Sequence, residues 1–164
     1  MDIYFSDQKR TFVYQLPVIP EDMPELDTGN ATTDTFTGSD GTTYIIPQGT
    51  DIGSFSIECF LPPENAQRGY VIKSNINPME LINFWNNNKK TKTAIKCIQT
   101  REDNSEIINW LVIVDSLTWQ YKNNGDIKYK VSFKQYNNPA DAFVIAPAKT
   151  ALINAIDALK KVNI

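Results

Sequence analysis

The sequence predicts an α+β fold, mainly β: an antiparallel, barrel-like sheet with one packed helix and a C-terminal helix. Three observations carry this. Apolar and polar residues alternate along "IGSFSIECFL" and "LTWQYKNNGDIKYKVSFKQY", the period of a strand with one buried face. One internal segment, "NPMELINFWNNNKK", has helical spacing instead. A second helical pattern, "AKTALINAIDALKKVNI", closes the chain. The domain division that follows is 1–138 for the mainly-β domain and 139–164 for a linker and the C-terminal helix.

Taken in order, Ile3 to Phe5 and Thr11 to Leu16 read as paired strands around the turn "SDQK". Pro17, Pro20 and Pro24 then exclude a central strand or a long helix. Residues 27 to 43 are rich in Thr, Gly, Asp and Asn. They form a long polar loop or a weakly paired hairpin turning at Asp40-Gly41. "TYIIP" is a short strand. In "IGSFSIECFL", Phe55, Ile57 and Cys59 alternate with Ser54, Ser56 and Glu58 until Pro62-Pro63 stops the strand.

The internal helix carries its own signals. Asn77 can cap it, Pro78 suits the first helical position and Glu80 completes a capping box. Leu81, Ile82, Phe84 and Trp85 make one apolar face, and Lys89 and Lys90 sit at the negative end of the helix dipole. Thr93 to Thr100 is a further strand. Ile107 to Val114 is apolar at nearly every position, which predicts cover on both faces. From Asp115 onward Leu117, Trp119 and Tyr121 alternate with polar residues, so one face is wet.

The register of the hairpin at 117–136 follows from burial. A two-residue Asn124-Gly125 turn would set Tyr121 opposite Lys128 and Trp119 opposite Lys130, mixing aromatics with lysines. A three-residue loop, Asn123-Asn124-Gly125, sets Tyr121 opposite Ile127, Trp119 opposite Tyr129 and Leu117 opposite Val131. Register follows the buried face, so the three-residue loop is predicted, with Gly125 in the left-handed region and Trp119 against Tyr129. Lys128, Lys130 and Lys134 then share the other face. After Tyr136 the chain passes through "NNPADAFVIAP" to the C-terminal helix, whose apolar stripe is Leu152, Ile156 and Leu159.

Composition bounds the function. The chain has 164 residues, enough for one domain that buries roughly 70% of its unfolded surface. Its net charge of −3 gives no general attraction to nucleic acid or to an anionic membrane, and neither is expected as a partner. No apolar run is long enough to span a bilayer, and the N-terminus shows no secretory signal pattern. Cys59 and Cys97 read as buried free thiols, which fits synthesis in a reducing compartment. There is no histidine, so the commonest general base, metal ligand and nucleophile partner is missing. Asp27-Thr28-Gly29 matches the aspartic-protease tripeptide, but it lacks apolar flanks and a second copy, and a solvated turn is the better reading. No nucleotide motif, calcium loop or zinc spacing occurs. The expectation is a protein that is not an enzyme, with no catalytic residue, no cofactor and no metal.

The order of features resembles a known family. "LPVIPED", "YIIPQG", "FSIECFLPP", Tyr70, "NPMELINFW" and "VIVDSLTWQYKNNGDIKYKVSFKQY" follow one another across residues 3 to 136. This is similar to the N-terminal domain of the PBSX-type, LysM-containing baseplate proteins of contractile phage tails and phage-tail-like bacteriocins. The resemblance implies a structural adaptor that joins the tail tube to the baseplate hub and spike. It implies partners of three kinds: copies of itself in a ring, six-fold on the tail axis; the tail tube protein; and the hub or spike protein. It also implies assembly in the bacterial cytoplasm into a virion tail or tail-like particle. The family's LysM module has no counterpart before Ile164, which leaves adaptor function as the main expectation. The alternative is a small carbohydrate- or peptidoglycan-binding β module using its aromatics as a platform. The candidate interface residues are Trp119, Tyr121, Lys128, Lys130 and Lys134 on the hairpin, and Leu152, Ile156 and Leu159 on the C-terminal helix.

Overall fold

The computed structural model describes residues 1–72 and 76–139. Eight strands and one helix follow in order: β1 (Asp2–Ser6), β2 (Val13–Gln15), β3 (Ala31–Thr37), β4 (Thr43–Thr50), β5 (Ser54–Leu61), α1 (Pro78–Thr91), β6 (Ile95–Thr100), β7 (Glu106–Tyr121) and β8 (Ile127–Gln135). Six strands form one antiparallel sheet in the order β2-β1-β6-β7-β8-β5, and β3 and β4 form a separate two-stranded sheet. The expected class, α+β and mainly β with one packed helix, is the observed one. The expected C-terminal helix, with Leu152, Ile156 and Leu159, lies outside the described residues.

The sheet is strongly curled. Phe5 of β1 stacks on Phe133 of β8 with ring centroids 5.1 Å apart. In a flat sheet three strand steps would separate them by about 14 Å. Curling brings the inward rows together, and the sheet forms an open barrel whose edges are β2 and β5. Inside lie Ile3, Phe5, Ile57, Leu61, Val112, Ile127, Tyr129, Val131 and Phe133, all buried.

Helix α1 seals this interior. Asn77 caps it through Oδ1, which accepts the Met79 N–H at 3.0 Å, and Pro78 opens the first turn. The apolar spacing turns Leu81, Ile82 and Trp85 inward, each essentially inaccessible. Trp85 meets Phe5 edge-on at 5.3 Å and Tyr129 at 5.2 Å. Full burial of such side chains stabilises by roughly 1.5–3 kcal/mol each. The helix stops at Lys92, which takes a left-handed conformation (φ 54°) and donates its N–H to the last-turn carbonyls.

The β7–β8 register is the predicted one: Tyr121 opposite Ile127, Trp119 opposite Tyr129 and Leu117 opposite Val131. Gly125 has φ 86° and donates to the Lys122 carbonyl, and the Lys122 N–H pairs with the Asp126 carbonyl across a three-residue loop. The change of character in β7 has a structural cause. A bulge between Val114 and Ser116 inserts Asp115 and switches the inward positions from even to odd numbers. Val112 and Val114 face the core before it; Leu117, Trp119 and Tyr121 share that side after it.

Three expectations need correction. Trp119 does not form its ring contact with Tyr129, because the Tyr129 ring belongs to Trp85; Trp119 sits edge-on to Tyr121 at 5.8 Å. Ile107, Leu111 and Ile113 are only half-buried and Asn109 is exposed, because α1 covers only the concave side of β7. Strand β2 is shorter than Thr11 to Leu16, because the Asp7 carboxylate accepts the Phe12 N–H at 3.0 Å and holds the chain in a turn.

Candidate functional site

The polar stretch at 27–43 resolves into a hairpin, and "TYIIP" is its second strand. Phe36 pairs with Tyr44 and Asp34 with Ile46. Asp40 makes the turn, accepting the Thr42 N–H and hydroxyl, both at 2.9 Å, and Gly41 takes φ 79°. Pro47 is tolerated because β4 is an edge strand. Every residue of β3 and β4 is exposed. Phe36 and Tyr44 stack at 5.1 Å, yet they remain 50% and 45% accessible, and Ile45 is 67% accessible. A two-stranded ribbon is marginal alone in water, and this one keeps its apolar side chains outside the core.

The hairpin leaves the barrel at the β5 edge. Asp27 bridges Ser54 through paired backbone bonds of 2.9 and 2.8 Å, and the Asp51 N–H donates to the Asn30 carbonyl. Asp27 of the Asp-Thr-Gly tripeptide is exposed at this base, where its Oδ1 accepts the Gly29 N–H at 2.9 Å. Gly29 has φ 78°, and a Cβ there would collide with the Asp51 carbonyl. The tripeptide makes a tight surface turn. Beside it runs an open groove of about 1040 Å³ that carries Glu21, Asp22, Glu25, Asp27 and Glu58. Among the described residues no three acids or cysteines are placed to share a metal ion.

The hairpin residues singled out from the sequence divide into two groups. Strand β6 stops pairing with β7 at Val112, so the rest of β7 has a neighbour only in β8. That open edge exposes Trp119 (43%) and Tyr121 (61%), although they share the inward side. The lysines lie on the outer face, and each meets a carboxylate of its own sheet. Lys128 is 2.8 Å and Lys130 3.6 Å from Glu58, and Lys134 is 3.0 Å from Asp115. The Lys128 hydrogen bond, with both lysine charges behind it, holds the Glu58 carboxyl below its ordinary pKa. This self-neutralisation removes much of the positive face that a neighbour could have read. Leu152, Ile156 and Leu159 lie outside the described residues.

The cysteines are free, Cys97 buried and Cys59 half-buried, and burial pushes both thiols above the usual range. The Tyr129 hydroxyl and the Trp85 Nε1 are buried without a hydrogen-bond partner among the described residues, and burial pushes the Tyr129 pKa well up. These groups belong to the core.

Two features escaped the sequence reading. One is Asp126, 6% exposed at its side chain, which accepts from Arg68 Nη1 at 2.8 and 3.0 Å and from Asn124 Nδ2. The same Arg68 nitrogen donates to the Tyr70 hydroxyl at 3.0 Å, so the ion pair ties the 63–72 loop to the hairpin end. The other is the distribution of charge. Residues 11–67 contain no Lys or Arg and nine of the 19 acids. That signal is visible in the sequence once charge is counted by segment rather than over the whole chain.

No protein-family model matches the chain. No curated protein shows significant similarity to it.

Proposed function

We propose that the chain is a structural adaptor of a contractile phage-tail or tail-like baseplate, joining tail tube to hub and spike within a ring of its own copies. One observation carries this reading: the domain keeps exposed apolar side chains and unpaired strand edges outside its core. The β3–β4 hairpin stands outside the core with Phe36, Tyr44, Ile45 and Ile46 exposed, and the sheet keeps open edges at β2 and along the distal half of β7. Unpaired edges and exposed ribbons favour strand addition and aggregation unless a partner covers them. Assembly into a tail gives each such surface a defined neighbour. The family resemblance across residues 3 to 136 supports the same reading.

Co-expression of the full chain with the tube and hub proteins of its particle tests this. The expected result is one complex containing all three, which falls apart into tube and hub when this chain is omitted. A tube and hub that join equally well without it would overturn the reading.

A second reading, a carbohydrate- or peptidoglycan-binding module, has one observation in its favour. Trp119 and Tyr121 offer an accessible aromatic pair at the open β7 edge. Retention of the chain on insoluble peptidoglycan, lost in Trp119→Ala, would favour it over the adaptor.

A further inference from the structure

The β3–β4 hairpin and the β2 end carry charges of opposite sign, and both carry exposed apolar side chains. At the β5 end the hairpin presents Phe36, Tyr44 and Ile46 with Asp34 and Asp40, and no cation lies in 31–50. At the β2 end Phe12, in the turn before the strand, and Val13, on the edge strand, are 61% and 56% accessible. A shallow cleft there is lined by Phe12, Tyr14, Phe84 and their neighbours on α1, with Tyr14 against Phe84 at 5.1 Å. Lys9 and Arg10 in the β1–β2 turn stand over this end, and so do Lys89, Lys90 and Lys92 at the end of α1. The turn is fastened there by the Gln8 amide donating to the Ala94 carbonyl. Three carboxylates, Asp2, Asp7 and Glu80, lie at this end against the five cations, Asp2 accepting the Gln15 side-chain amide of β2 at 3.0 Å, and none of the five cations forms an ion pair among the described residues.

Resting on the adaptor reading, we propose that the acidic β3–β4 hairpin of one copy docks on the basic β2 edge of the next copy. The two surfaces are opposite in charge and alike in exposed apolar side chains and unpaired backbone, and within one chain neither covers the other. The contact is head-to-tail: each copy gives its hairpin to one neighbour and its β2 edge to another. Repeated in this way, the contact closes a ring or extends a filament. Backbone pairing along β2 supplies the affinity, and opposite charge supplies orientation and register.

The test uses the full chain and sedimentation at rising concentration. Asp34→Lys alone, and Lys9→Glu with Lys90→Glu alone, are each expected to weaken self-association about tenfold or more through like-charge contact. The three changes together in one chain restore it, which also shows that the variants fold. Cross-linking supplies the second arm. Ile46→Cys and Val13→Cys are prepared separately and treated with a short bis-maleimide, with the wild-type chain as background. A cross-linked dimer is expected from the mixture and not from either variant alone. Equal cross-linking of one variant with itself means isologous pairing and overturns the proposal. So does self-association that none of the charge changes alters, although the ring reading then stands. A wild-type chain that stays monomeric at every concentration overturns both self-assembly and this contact.

Discussion

Replacing Trp85 by alanine tests the way the barrel is sealed. Trp85 has no accessible surface and touches Phe5, Tyr129 and Phe133, which come from two different strands. An indole of this kind buries about 200 Å², and at about 25 cal/mol per Å² the lost transfer free energy is about 5 kcal/mol. One effect opposes this. The Trp85 Nε1 is buried without a partner among the described residues, and removing an unsatisfied donor returns about 1–3 kcal/mol. A residual cavity adds to the loss, because the curled sheet cannot collapse onto the vacated volume. The expected destabilisation is about 3–5 kcal/mol. Equilibrium urea melts followed by circular dichroism measure it, and an unchanged slope confirms that the surface exposed on unfolding is the same. Trp85→Phe, which keeps a ring and removes the orphan donor, is expected to lose much less. A Trp85→Ala loss under about 1 kcal/mol would refute the placement of the helix over the barrel.

Four further outcomes follow from the same structure. Tyr129→Phe removes a buried hydroxyl that has no partner among the described residues, so it is expected to leave stability unchanged or raised in the same melts. Gly125→Ala puts a side chain at φ 86° and is expected to cost about 1–2 kcal/mol without altering the β7–β8 register, which cross-strand NMR contacts report. Glu58 has a depressed carboxyl in the folded state, so its ion pairs favour folding above the ordinary carboxyl range. That contribution fades as pH falls through the lowered value; a carbon-detected NMR titration should show the low midpoint, and Lys128→Met should move it upward. Cys97 is buried with its thiol pushed far up, so a thiol reagent at mildly alkaline pH should label it only after unfolding.

The fold was legible where a local pattern determines it. Asn77, Pro78 and the Leu81/Trp85 face specify α1 from neighbours in sequence. Gly125 with the Leu117–Trp119–Tyr121 alternation specifies the hairpin register, because a slip by one residue would expose every apolar group of β8. The remainder depends on tertiary geometry. Nothing in "VIVDSL" marks Asp115 as the inserted residue, and without that bulge the inward positions of β7 cannot be assigned. Tyr129 has two aromatic candidates, Trp119 opposite it in the ladder and Trp85 overhead, and only the curl of the sheet chooses Trp85. Arg68 and Asp126 are 58 residues apart, with no periodicity linking them. The Asp40-Gly41 turn was readable, but the full exposure of the hairpin was not, since strand patterns report pairing and say nothing of what lies above the ribbon. The three hairpin lysines were assigned to one face correctly; that Glu58 and Asp115 would neutralise them depended on which strand lay next to β8.

The adaptor role is tested most directly by an electron cryo-microscopy reconstruction of the assembled tail particle, with this domain fitted into its density. A ring of copies between the last tube layer and the hub is expected, each hairpin 31–50 lying against the Phe12–Val13 edge of its neighbour. Density for this chain absent from that level, or found only as isolated copies outside the tail axis, would contradict the adaptor role.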